Sequence, residues 1–335
     1  MNGRKVNLAF LISVLLYIGC VFALPLLLPR LFSNLVVNNL ICETVMVMPG
    51  FLFMLFSGEK LTGFLHFKRM KPGTVLMIVP FTMFSMSAIT LVNLISQFFV
   101  ENTSAAMMEN YQVAEMPFLQ VLFSVGIFAP FCEELACRGI FYRGYRKSGS
   151  AFYAMLLSAL LFALMHMNIN QAMYAFVMGI ISVLLVEATG SLWSSVLYHG
   201  LINSSQIVLM YGMLRVNPSA YSEAASALNT DMLVYGLAGY LVITAVSLPV
   251  AWAILVWMSG HEGRRGVLLE LWRERKNRGS GTVQESQKSQ TVTEKKKDKL
   301  VTVPLLLALI LCGAVMILTA MSQWLIKLVV DHLGW

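Results

Sequence analysis

Residues 116–137 read MPFLQVLFSVGIFAPFCEELAC, a run that is apolar almost throughout and ends on the adjacent carboxylates Glu133 and Glu134. About 20 helical residues cross a bilayer, so this run predicts a membrane helix with two acids near one end. Comparable apolar runs occur near 7–28, 36–57, 74–100, 150–168, 171–189, 191–212, 232–258 and 301–325. Counted together they predict an all-α, polytopic transmembrane helical bundle of about nine spans.

Composition agrees. The 335 residues are 58% hydrophobic and 12% charged, with a mean hydropathy of +0.72, whereas soluble domains carry about 25% charged residues. The net charge of +7 does not point to nucleic acid, because the basic residues sit in short segments between apolar runs, where they set membrane orientation. With the N-terminus placed in the cytoplasm, every Lys and Arg except Arg30, Arg215 and Lys327 falls inside. The first span follows Arg4 and Lys5 and lacks a small-x-small cleavage site, which predicts a retained signal-anchor helix.

The five cysteines, Cys20, Cys42, Cys132, Cys137 and Cys312, lie in or beside apolar runs and suggest neither a disulfide framework nor a Cys-based zinc site. The 22 methionines are spread over the spans and read as core filler. Residues 259–300 differ from the rest. Their first part, 264–278, is a basic helix with an apolar side suited to anionic lipids, and from Gly279 to Lys299 the composition is that of a flexible cytoplasmic linker. No internal repeat suggests a transporter built from inverted halves.

Three polar motifs lie in consecutive apolar regions: Glu133-Glu134-x-x-x-Arg138, Phe162-x-x-x-His166 and His199-x-x-x-Asn203. Ionisable groups at membrane depth are costly enough to mark functional sites. Residues four apart share a helix face and adjacent ones diverge by about 100°. Glu134 is therefore expected to pair with Arg138 while Glu133 points elsewhere, free to take a proton from water. Phe162 walls the space beside His166, and His199 and Asn203 aim two hydrogen-bonding groups into one region, as an oxyanion site requires. Taken singly, each motif also has a structural explanation in ion pairing or helix packing. Counted along the helices at about 1.5 Å per residue, Glu133, His166 and His199 come to unequal depths, so the 116–137 helix is expected to tilt or to project beyond the membrane.

At these residues the chain resembles the CAAX-protease and bacteriocin-processing (Abi) family of intramembrane proteases, related to type II CAAX prenyl endopeptidases. The resemblance covers roughly 116–212. It implies that Glu133 and His166 activate water for attack on a peptide bond, that His199 and Asn203 stabilise the oxyanion, and that Glu134, Arg138 and Phe162 support the site. No cofactor is favoured. The alternative is zinc held by Glu133, His166 and His199, which is chemically sufficient, although Asn203 suits an oxyanion better than a metal. The implied partner is a membrane protein or peptide substrate, and the implied setting is a cell membrane, with a bacterial source the expectation.

The chain accordingly divides into N-terminal membrane helices (1–115), a catalytic core (116–212), an additional membrane helix (213–258), the cytoplasmic segment (259–300) and a C-terminal membrane helix (301–335). Two other functions fit the same residues: a nonproteolytic membrane regulator or bacteriocin-immunity protein that keeps the fold, and a transporter using Glu and His as a proton relay.

Overall fold

The computed structural model describes residues 1–100, 102, 112–217, 230–279 and 300–333, and the regular structure among them is helical throughout. The main helices are α1 (Gly3–Leu27), α2 (Leu35–Leu55), α3 (Pro72–Ser96), α4 (Phe118–Ser148), α5 (Ala151–Met165), α6 (Ile169–Thr189), α7 (Leu192–Val216), α8 (Thr230–His261), α9 (Val267–Gly279) and α10 (Val303–Leu333). The chain is a polytopic membrane bundle.

Local sequence sets the helix ends. The side chains of Asn2, Asn34, Ser150, Asn168 and Ser191 each accept a backbone N–H in the first turn of α1, α2, α5, α6 and α7, satisfying donors that the helix itself leaves free. Pro72 opens α3, where its missing N–H costs nothing. Gly190 takes φ +72° after the last turn of α6, a left-handed conformation that glycine reaches without strain, and it lets α7 fold straight back.

All nine apolar runs are helical. Among the described residues, seven helices are long and apolar enough to cross a membrane: α1, α2, α3, α4, α6, α8 and α10 within Val303–Leu325. The other two are α5, apolar but only 15 residues long, and α7, 25 residues long but diluted by His199, Asn203, Ser204, Ser205 and Gln206. The run expected to stop at residue 137 continues to Ser148, because Arg138 is neutralised within the bundle and Gly139–Tyr142 are buried. Within α4, the segments Leu122–Phe128 and Leu135–Tyr142 are π-helical and flank the α-helical turn Ala129–Glu134. Such bulges shift side-chain phase and cluster at functional sites.

The core is centred on α4, α5, α6 and α7, with α1, α2 and α3 packed around them. Helix α8 lies mainly against α3, and α10 against α1. One end of the bundle is tied by polar contacts. The amino terminus and Lys147 both bond Glu59 Oε1, at 2.7 and 2.6 Å, Gly3 N donates to Ser148 Oγ, and Asn7 Nδ2 donates to Leu300 O and Thr302 Oγ1. Those contacts gather the N-terminus, the α2–α3 loop, the end of α4 and the start of α10 on one face of the bundle.

The basic segment does form a helix, α9, but its apolar side is divided. Leu268 and Leu271 are buried in the protein's own core on α5 and α6, leaving Leu269 and Trp272 exposed at 60% and 46%. Most of the expected flexible linker, 280–299, lies outside the described residues, as do 101, 103–111 and 218–229.

Candidate active site

Helix α4 brings the Glu pair into the bundle, and the partner it meets there is His199 on α7. His199 Nδ1 is 3.1 Å from Glu134 Oε1, and His199 Nε2 is 3.4 Å from Glu133 Oε2. Adjacent residues on a helix diverge by about 100°, and here that divergence places one carboxylate on each side of the same imidazole. Glu133 thus turns to a different edge of the site rather than away from it.

Glu134 is fully buried and also meets Arg138 Nη1 at 3.0 Å, with both side chains withdrawn from solvent. Arg138 lies over the Phe162 ring, its guanidinium carbon 4.3 Å from the centroid. Its Nε and Nη2 have no hydrogen-bond partner, so the aromatic face supplies the remaining electrostatic contact. Phe162 joins the site's groups: its ring is edge-on to His166 at 5.0 Å and to His199 at 5.7 Å. Helix α6 leaves room for Arg138 through Gly179, where a Cβ would come within 3.2 Å of Arg138 Nη2.

His166 caps the end of α5, its Nδ1 2.9 Å from the Phe162 carbonyl. That contact fixes the ring's orientation and leaves Nε2 as its free edge. Asn203 is one turn beyond His199 on α7 and donates from Nδ2 to Val125 O at 3.1 Å. Its carboxamide carries two N–H groups, one of which this bond occupies. Alongside it, Ser204 Oγ donates to Gly126 O at 3.2 Å, a close approach possible because neither Gly126 nor Gly200 carries a side chain at the crossing.

Of the residues singled out from sequence, Glu133, Glu134, Arg138, Phe162, His166 and His199 form one connected group, and Asn203 joins it along α7. Glu134 serves two partners, His199 as well as the expected Arg138. Glu133 approaches His199 most closely, and its relation to His166 is electrostatic. Among the described residues, no group of three or more His, Cys, Asp or Glu side chains is arranged to hold a metal ion.

One acid of this region was missed. Glu43, on α2, is buried, interacts electrostatically with Glu133, and has its Oε2 without a hydrogen-bond partner. Its signal in the sequence is plain: it is the sole charged residue in the apolar run 36–57.

Comparison with curated proteins gave no match, and neither did comparison with solved structures. Comparison with family models did. Residues 115–205, which contain Glu133, Glu134, Arg138, Phe162, His166, His199 and Asn203, match the family described as type II CAAX prenyl endopeptidase Rce1-like, so this segment is similar to the family that its three motifs resemble.

Proposed function

We propose that the chain is an intramembrane endopeptidase that hydrolyses a peptide bond in a membrane-associated protein or peptide. The observation that carries this reading is the buried imidazole of His199, held between Glu133 and Glu134 inside a segment that matches a protease family.

Each role follows from geometry and chemistry. Glu133 is the less buried of the two acids, at 12% side-chain exposure against 0% for Glu134, and it has no cationic partner holding it in place among the described residues. It is the acid able to accept a proton from water, with the free edge of His166 assisting. Glu134 is committed to structure. A carboxylate only accepts hydrogen bonds, so Glu134 takes the Nδ1–H of His199 and orients the ring, while Arg138 balances its charge. His199 and the second N–H of Asn203 then stabilise the developing oxyanion. The proton taken by Glu133 passes to the leaving amine as the C–N bond breaks. None of these steps requires a metal ion.

The test is a comparison of membrane peptides from cells producing the wild-type protein, Glu133→Gln, His166→Ala or Asn203→Ala. Substrates should accumulate uncleaved in all three variants, and processing equal to wild type in all three would overturn the assignment. A quenched CAAX-type peptide, prenylated and unprenylated, tests whether a lipid group is read. Retained cleavage under strong chelation would count against zinc.

A further inference from the structure

We propose that Glu43 is a further catalytic residue of this site, acting with Glu133 to hold the attacking water. The inference rests on the proteolytic reading above and extends the site to a helix outside the family-matched segment.

Three observations converge on it. The first is burial without pairing: Glu43 is 7% exposed, lies in a membrane-length helix, and its Oε2 meets no donor. A carboxyl group withdrawn from water without a compensating partner is expensive, and neither Lys nor Arg occurs anywhere in α2. Architecture alone does not account for it.

The second observation is direction. On α2, Asn39 donates from Nδ2 to both the carbonyl and the hydroxyl of Ser124 on α4, each at 3.0 Å. Eleven residues later Gly50 abuts the Phe141 ring, where a Cβ would be 3.1 Å away. Residues 39, 43 and 50 follow the i, i+4, i+11 pattern of one helical face. Glu43 therefore sits on the face turned to α4, between a contact at Ser124 and one at Phe141, and the Glu133-Glu134 turn lies between those same two levels. The third is proximity: Glu43 interacts electrostatically with Glu133, with Cys132 next to it, and with Tyr17 on α1.

Two carboxyl groups converging from different helices can accept both hydrogens of one water and leave its lone pair directed at the scissile carbonyl. Glu133 removes one proton as the oxygen bonds to the carbonyl carbon, and that proton leaves with the amine. Glu43 forms and breaks no covalent bond; it fixes the water's orientation. Correct placement matters at this scale, since a misplacement of about 1 Å costs about 100-fold in rate.

The experiment compares wild type, Glu133→Gln, Glu43→Leu, Glu43→Asp and Glu43→Gln by quantitative membrane peptidomics, together with the yield and thermal stability of each purified protein. Glu43→Leu should slow processing about 100-fold. Glu43→Asp keeps a carboxyl group at the same position but retracts it by one methylene, and should lose about tenfold with unchanged thermal stability. Glu43→Gln, which retains an acceptor oxygen at full reach, should be the most active of the three. If Glu43→Asp processes as fast as wild type, or if Glu43→Leu does so while Glu133→Gln is inactive, Glu43 has no place in the chemistry. A wild-type profile identical to that of Glu133→Gln would instead overturn the proteolytic reading, and the Glu43 assignment with it.

Discussion

His199 and Glu134 are joined Nδ1 to Oε1 at 3.1 Å across the packed faces of α7 and α4, and that contact separates the two neighbouring acids into different tasks. Glu134 orients the imidazole, and Glu133 stands at its other nitrogen. The two acids should therefore fail differently. Glu133→Gln is expected to cut processing by about 10²- to 10⁴-fold, the range of a lost general base, with the folded yield unchanged. Glu134→Gln should lower both processing and thermal stability, because it also strands Arg138. Parallel peptidomics and melting curves measure the contrast, and identical phenotypes would contradict the division of roles.

The Glu134–Arg138 pair is fully buried, and removing one member of such a pair costs about 3–5 kcal/mol because the other charge is left uncompensated. Arg138→Met should show that loss in denaturant unfolding. The double variant Glu134→Gln/Arg138→Met removes both charges together and should recover part of it. Strictly additive losses would mean that the two groups are not coupled in the folded protein.

How far this site could be read from sequence follows from what kind of contact builds it. Glu134 with Arg138, and Phe162 with His166, are separated by one helical turn, so spacing alone announces them. The straddling of His199 by both acids joins residues more than sixty positions apart on different helices, so no local spacing announces it. Glu43 was legible as the lone charge of its span, but its partner was not, because nothing local ties α2 to α4. The end of α4 was set too early at residue 137, since Arg138 reads as a membrane boundary until its buried counter-charge is seen.

Gly179 marks the closest crossing of α6 and α5. A Cβ there would lie 2.9 Å from both Cα and Cβ of Ala159, backbone and side chain together, and 3.2 Å from Arg138 Nη2. The helix backbone cannot yield cheaply, so Gly179→Ala should destabilise by about 1–3 kcal/mol and displace the guanidinium from Phe162. Gly212→Ala, at a position with no atom within 4 Å of the added carbon, is the matched control and should leave the melting temperature unchanged or raise it slightly. Equal behaviour of the two variants would argue against a tight α5–α6 contact.

Acid should weaken the tied end of the bundle. Burial, reinforced by Arg143 and Lys68, pushes the His66 imidazole down to about 4, so the folded protein keeps it neutral while the unfolded chain takes up a proton near 6.5. Between those values the unfolded state binds more protons, and stability falls as pH drops from about 6.5 towards 4. Glu59 adds to the trend at lower pH. Burial opposes its ionised form, but the bonds from Lys147 and the amino terminus outweigh that and hold it below the usual carboxylate range. Melting temperatures between pH 7.5 and 4 should decline, and His66→Asn, which tolerates the left-handed backbone at this position, should flatten the upper part of the slope. An unchanged slope in that variant would place the effect elsewhere.

One acid adds a polar tie to the apolar docking of α9 on the bundle. Glu274 bonds Arg146 Nη2 through Oε1 at 2.9 Å and the backbone N–H of Ala151 through Oε2 at 2.7 Å, so its carboxylate sits at the N-terminus of α5, where the helix dipole favours a negative charge. Trp272 packs beside it on Phe152 at 5.4 Å. Both members of the ion pair are partly exposed, which limits the gain to about 1 kcal/mol, roughly a fivefold change in the docked population. Glu274→Lys should reverse the charge facing Arg146, increase trypsin cleavage near Arg264, Arg265 and Arg273 by about that factor, and alter Trp272 fluorescence. Performed in nanodiscs of zwitterionic lipid, the measurement isolates protein docking from attraction to anionic headgroups. If cleavage changes only when anionic lipid is added, the membrane rather than Glu274 holds the helix.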